Sequence, residues 1–141
     1  MAAMVDYVKK QCGNVLRPIM ISCDPARDSP AVLKSYLAEF HEDFIGLTGQ
    51  YENIKDVCKA YRVYFSTPQD VKPGQDYLVD HSIYFYLMGE SLTRGRSIQR
   101  LTNVDPEGDF VEALGRNFSA EQAGRIISNH IKDWKGPLEK D

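Results

Sequence analysis

Apolar residues recur at helical spacing in four stretches of the chain. Val5, Val8 and Cys12 share one face of residues 2–12. Leu33, Tyr36, Leu37 and Phe40 form a stripe that begins after Ser29-Pro30 and runs to about His41. Ile54, Val57, Cys58 and Tyr61 do the same over 51–61, and Ala123, Ile126, Ile127, His130, Ile131 and Trp134 near the end. Each pattern predicts a helix with one buried side. Between them lie short apolar runs bounded by turn residues: LRPIMIS (16–22), FIGLT (44–48) and RVYF (62–65). The first two predict short buried strands, the third a further strand. YLVDHSIYFYLM (77–88) predicts a long strand, with DFVEAL (109–114) as its antiparallel partner.

Local signals mark the joints. CDPARDSP (23–30) is loop chemistry that ends with Ser29 as a helix N-cap and Pro30 at the first helical position. TPQDVKPGQD (67–76) is a Pro/Gly loop. Ser119 and Gln122 have the spacing of a capping box. Strands alternating with helices, then a hairpin and a last helix, predict an α/β fold with a mixed sheet and flanking helices. One segment does not fit. DPEG (105–108) is good turn chemistry, yet GESLTRGRSIQRLTNV (89–104) stands between the first hairpin strand and that turn. Hairpin loops usually run about 2–5 residues, so 89–104 reads as a surface loop or as an insertion foreign to the fold.

Length changes the picture only by limiting it. At 141 residues the chain is expected to be one domain, 1–141. A net charge of −3 gives no electrostatic case for nucleic acid or an anionic membrane. No apolar run approaches the roughly 20 residues that span a bilayer. Cys12, Cys23 and Cys58 are an odd number with no C-x-x-C, so they do not read as a disulfide framework.

The candidate chemistry is sparse. His81 sits inside a strand pattern directly after Asp80, and strand alternation sends those two side chains to opposite faces. Taken alone, His81 reads as a strand histidine hydrogen-bonded to a carbonyl. Cys23 follows a strand at its C-terminal end, where open α/β sheets place ligands. It reads as a small core residue or as a thiolate near His81, while Cys12 and Cys58 read as core. In the loop, Arg27 has Asp24 and Asp28 as candidate partners. His41 reads as a cation at a helix end and His130 as a satisfied core imidazole. Asn117-Phe118-Ser119 matches a glycosylation acceptor, a weak three-residue signal.

Taken together, ISCDPARDSP, LAEFHEDFIGLTG, IKDVCKAYRVYFS, DYLVDHSIYFYLM and DPEGDFVEALGRNFSAEQ resemble the Sco family over about residues 1–134, except 89–104. The D-P-x-R-D loop and the V-D-H strand, in this order and separation, make the resemblance specific. It implies a thioredoxin-like fold and a copper metallochaperone of the mitochondrial inner membrane, facing the intermembrane space. The cargo would be delivered to cytochrome c oxidase subunit II after receipt from an upstream copper chaperone. The resemblance places the family's histidine ligand at His81. Thiolates suit Cu(I), and an imidazole completes a three-coordinate site open enough to release the ion.

The family's two cysteine ligands come from a C-x-x-x-C that opens the helix before the I-S-x-D-P strand. That helix corresponds here to residues 2–12, which contain no such motif. The resemblance therefore implies an incomplete thioredoxin-like domain, without the N-terminal strand and cysteine segment. The strands at 16–22 and 77–88 would each have a neighbour missing. An unpaired buried backbone group costs on the order of 1–3 kcal/mol, against a total stability of about 5–15 kcal/mol. The expectation is a chain that folds poorly alone, closes its sheet differently, or borrows a strand. Three functions compete: copper metallochaperone, thiol–disulfide oxidoreductase, and an isoform that acts only through protein interactions. No cysteine lies at a helix N-terminus or in a C-x-x-C, so the expectation is that the chain is not an enzyme.

Overall fold

The computed structural model of the protein describes residues 1–68, 70–72, 75–89 and 110–134. The 89–104 insertion, except Gly89, and the DPEG turn lie outside the described residues. Helices are α1 (Ala2–Cys12), α2 (Pro30–Ala38), α3 (Tyr51–Ala60) and α4 (Ala120–Asp133). Strands are β1 (Ile19–Ile21), β2 (Ile45–Leu47), β3 (Phe65–Ser66), β4 (Asp80–His81), β5 (Tyr84–Met88) and β6 (Phe110–Gly115). The caps explain the helix starts. The Ser29 hydroxyl accepts from the Val32 amide with Pro30 at the first position, and Ser119 and Gln122 close a full capping box on α4.

Among the described residues the strands pair as three separate two-stranded ladders. β1 and β2 are parallel, with Ile19 beside Ile45 and Ile21 beside Leu47. β3 and β4 are antiparallel, with Phe65 beside His81. β5 and β6 form the expected antiparallel hairpin pair, from Tyr84 beside Gly115 to a register shift at Leu87/Met88. The residues group into two compact units, one from 1–16 with 84–134 and one from 17–83.

In the first unit, Met4 and Val8 of α1, Leu114 of β6, and Ala123 and Ile127 of α4 form the buried core. Helices α1 and α4 approach closely at Gly124, where an added Cβ would lie 2.6 Å from Tyr7 Cδ1. In the second unit, Leu33 and Leu37 of α2 are buried against the β1–β2 pair. Gly46 makes room for them, since a Cβ there would fall 2.8 Å from Leu37 Cδ1.

Several expectations are corrected. The strands within 16–22 and 44–48 are not buried on both sides. Met20 and Gly46 are partners in the ladder, and Gly46 faces α2. Ile19, Ile21, Ile45 and Leu47 alternate to the other face and are 37–51% exposed. The 77–88 stretch is two strands, because Ser82 ties the chain to Tyr64 instead. Its amide donates to the Tyr64 carbonyl at 2.9 Å, and its hydroxyl accepts from the Tyr64 amide at 3.2 Å. The third strand begins at Phe65 rather than Arg62, because residues 62–63 are used to stop α3. Arg62 has φ 53°, its amide donates to the Lys59 carbonyl (3.2 Å), and the Val63 amide donates to the Cys58 carbonyl (2.8 Å). That is a Schellman ending with arginine at the left-handed position.

Tyr36 and Phe40 are exposed and stack edge-to-face on each other, at 5.0 Å between centroids, instead of facing a core. His130 is not a core imidazole. It is exposed on α4, with Nε2 2.7 Å from a Glu112 carboxylate oxygen on β6. His41 lies just past α2, where its Nδ1 accepts the Asp43 amide at 3.0 Å.

Candidate functional site

The loop after β1 is tied together by its own polar residues. Ser22, 1% exposed, donates its amide to the Leu47 carbonyl across the β1–β2 ladder. Its hydroxyl accepts from the Asp24 amide (2.9 Å) and donates to the Asp28 carboxylate (2.5 Å). Asp24 is 8% exposed and needs partners, because burying an unpaired carboxylate is costly. Arg27 Nε donates to Asp24 Oδ2 at 2.6 Å, and the Tyr77 hydroxyl donates to Asp24 Oδ1 at 2.9 Å. The other side of the guanidinium donates to Asp76 Oδ1 at 2.9 Å, and its carbon lies 3.8 Å from the Tyr77 ring centroid. Arg27 thus pairs with Asp24 and Asp76, while Asp28 is held by Ser22. Partial burial and the Asp24 acceptor both raise the pKa of Tyr77 and keep its phenol protonated.

This network borders a shallow cleft of about 230 Å³ at the C-terminal end of β1, lined by Cys23, Asp24, Tyr51, Pro68, Val71 and Tyr77 among others. Cys23 lines the cleft half-buried, as its place after β1 suggested. The neighbouring Cys58 is buried on α3. Burial, Cys58, Asp28 and Asp24 together push the Cys23 pKa up to about 11, so the thiol is neutral at pH 7.

His81 is exposed on β4 and stands beside Phe65 in the ladder, so the two side chains share a face. The Phe65 ring in turn meets the Tyr51 ring edge-to-face at 6.0 Å, and Tyr51 lines the cleft. The His81 Nδ1 lies 3.0 Å from the Ser82 carbonyl oxygen. A carbonyl only accepts, so this contact puts the proton on Nδ1 and leaves the Nε2 lone pair free to bind a metal. Among the described residues, no three His, Cys, Asp or Glu side chains gather at metal-ligating distance. No such group therefore forms around His81 among the described residues.

Sequence reasoning found the loop, Cys23 and His81. It missed Asp76 and Tyr77, 49 and 53 residues from their partners in the loop, because no local pattern links such positions. It assigned Cys58 to the core, and Cys58 is buried on α3.

Residues 1–115 match the SCO1/SenC family. The chain belongs to the SCO1/SenC family. Among curated Sco relatives it is 54% identical to "Protein SCO1, mitochondrial" of Saccharomyces cerevisiae, over 92% of this chain and 39% of that protein. It is 33% identical to the human "Protein SCO1 homolog, mitochondrial", over 85% of this chain and 34% of that one. Among solved structures it resembles yeast Sco1 with copper bound, at 50% identity and a TM-score of 0.77, over 94% of this chain and 65% of that one. The Arabidopsis thaliana ScoI with copper bound gives 35% identity and a TM-score of 0.74, over 94% and 71%. This Sco chain spans about two fifths of the yeast SCO1 it matches. The α/β, thioredoxin-like architecture read from the sequence is that of its structural neighbours. No described helix of the Sco chain is long and apolar enough to cross a membrane.

Proposed function

We propose that this Sco chain serves copper delivery to cytochrome c oxidase, with His81 as the imidazole ligand of the ion in transit. In this reading the acceptor is oxidase subunit II, and the donor is an upstream copper chaperone. The setting is the mitochondrial inner membrane on its intermembrane-space side, and the protein carries its cargo without being an enzyme. The observation that carries the reading is the 0.77 TM-score and 50% identity to a yeast Sco1 structure with copper bound. The names of relatives at 54% and 33% identity, all mitochondrial, support the compartment. The free Nε2 of His81, exposed at the surface, supports the ligand assignment.

The remaining ligands in this reading are thiolates, the soft donors that suit Cu(I). The family's C-x-x-x-C is not within these 141 residues, so the imidazole is the part of the site this chain contributes. The Asp24–Arg27–Tyr77 network acts as support, holding the loop that borders the cleft. The test is a Cu(I) competition titration against a chelator for the chain, His81→Ala and Cys23→Ala. Loss of at least tenfold affinity in His81→Ala supports the assignment; an affinity unchanged by that substitution overturns it. A parallel loss in Cys23→Ala adds the cleft thiol to the ligand set.

A further inference from the structure

We propose that Tyr77, clasped by Asp24 and Arg27, is a positioning residue that holds the His81 segment to the loop after β1. This role rests on the copper reading of His81 and names the group that keeps its imidazole in place.

His81 is weakly anchored by its own strand. β4 is two residues long and pairs with Phe65 and Ser66. Ser82 adds two hydrogen bonds to Tyr64, through its amide and its hydroxyl. These anchors begin at Asp80. Ahead of them, residues 75–79 lie in no helix or strand. Leu78, the large aliphatic residue just after Tyr77, is 88% exposed and so does not anchor the stretch.

Tyr77 ties this stretch down. Its hydroxyl donates to Asp24 Oδ1 at 2.9 Å, and Asp24 is buried. The Arg27 guanidinium closes the clasp. Nε donates to Asp24 Oδ2 at 2.6 Å, Nη1 donates to Asp76 Oδ1 at 2.9 Å, and the guanidinium carbon lies 3.8 Å from the Tyr77 ring centroid. Asp76 Oδ1 also accepts the Tyr77 amide at 2.9 Å. A planar fork meets two carboxylates and a ring at once, which a lysine ammonium does not. The loop side of the clasp is fixed in turn, because the Ser22 hydroxyl accepts the Asp24 amide and donates to Asp28.

The clasp lies four residues before His81, about 13 Å along an extended chain. With it shut, the segment enters the ladder from a fixed point, and the imidazole keeps the pose in which Nδ1 lies 3.0 Å from the Ser82 carbonyl oxygen. With it open, a two-residue ladder and Ser82 hold the segment alone. A ligand that must first be ordered binds more weakly by the cost of that ordering. The parts are unequal. The Tyr77–Asp24 bond is charge-assisted and reaches a buried carboxylate, whereas the Asp76 side chain is 96% exposed.

The test follows the full, metal-free chain by NMR. In Tyr77→Phe the Ser82 amide, bonded to the Tyr64 carbonyl, exchanges about tenfold faster, the size of one charge-assisted hydrogen bond, while the amides of α2 keep their rates. The His81 ring nitrogens move from the Nδ1–H tautomer toward the mixture of a free imidazole. Asp76→Ala speeds Ser82 exchange by at most about fivefold, and added salt removes the difference. Cu(I) affinity falls in the same order, and less than in His81→Ala. Ser82 exchange and a His81 tautomer both unmoved in Tyr77→Phe overturn the proposal, as does an equal rise at the α2 amides, which is general destabilisation. Where Tyr77→Phe does not fold, a Ser82 rate unmoved by Asp76→Ala at low salt overturns it instead. An affinity indifferent to His81→Ala refutes the ligand assignment alone, and the two metal-free readings still decide whether Tyr77 positions His81.

Discussion

Gly124→Ala sets two opposed effects of known size against each other. Alanine is a better helix former than glycine by about 0.8–1.0 kcal/mol, so on an open helix the change would stabilise. Here the new Cβ would fall 2.6, 2.9 and 3.1 Å from Cδ1, Cγ and Cβ of Tyr7 on α1. The ring atoms can move only by rotating the Tyr7 side chain. The Tyr7 Cβ is fixed to the α1 backbone, so relief of that contact requires the helices to separate. Such overpacking costs about 1–3 kcal/mol. The expected net effect is destabilisation by about 1 kcal/mol. In a Tyr7→Ala background the ring is gone and only the 3.1 Å contact with Cβ remains, so the same substitution should be close to neutral, the propensity gain of about 0.8–1.0 kcal/mol offsetting that contact. The assay is urea unfolding followed by far-UV circular dichroism on the four proteins of this cycle. An effect of Gly124→Ala that is the same with and without the Tyr7 ring would refute the argument, because the clash is then not what glycine avoids.

Two further outcomes follow from buried polar groups. Asp24→Asn weakens the bond to Arg27 and should cost about 1.5–3 kcal/mol, toward the lower figure because the Arg27 side chain is 41% exposed. The same change should lower the Tyr77 pKa toward its ordinary value in a spectrophotometric titration. Because folding raises that pKa, the associated stability is present below about pH 10 and is lost as pH rises through the folded value. Asp24→Asn should flatten that loss, and a Tyr77 titration indifferent to it would count against the hydrogen bond. The Ser128 hydroxyl, on a residue 2% exposed in α4, has no hydrogen-bond partner among the described residues. Ser128→Ala should therefore raise stability by about 1 kcal/mol in the same urea assay, and a loss would show that the hydroxyl is satisfied in solution.

Helix positions were legible in the sequence because their signals are local. Ser29-Pro30 and the Ser119–Gln122 box each specify a start within four residues, and both stand as read. Strand extents were less legible, because they depend on partners. Nothing within YLVDHSIYFYLM announces that Ser82 will bind Tyr64 and break the stretch into β4 and β5. RVYF has strand composition, yet its first two residues end α3, since the Schellman turn falls on an arginine where glycine would have marked it. The candidate site divides in the same way. The D-P-x-R-D loop and His81 are continuous motifs and were found. The bond from Tyr77 to Asp24 arises from chain folding across dozens of residues, and periodicity could place Cys58 only on a buried helix face.

The Arg62 turn also governs how often Cys58 becomes accessible. A left-handed arginine costs about 1–2 kcal/mol relative to a residue free to adopt that conformation, so the last turn of α3 opens more readily than a glycine-ended one. The Val63 amide, bonded to the Cys58 carbonyl, exchanges its hydrogen with solvent only when that turn opens. Its exchange rate and the alkylation rate of Cys58 therefore report one opening equilibrium. Arg62→Gly should slow both together, coupling a surface backbone angle to the accessibility of a buried thiol.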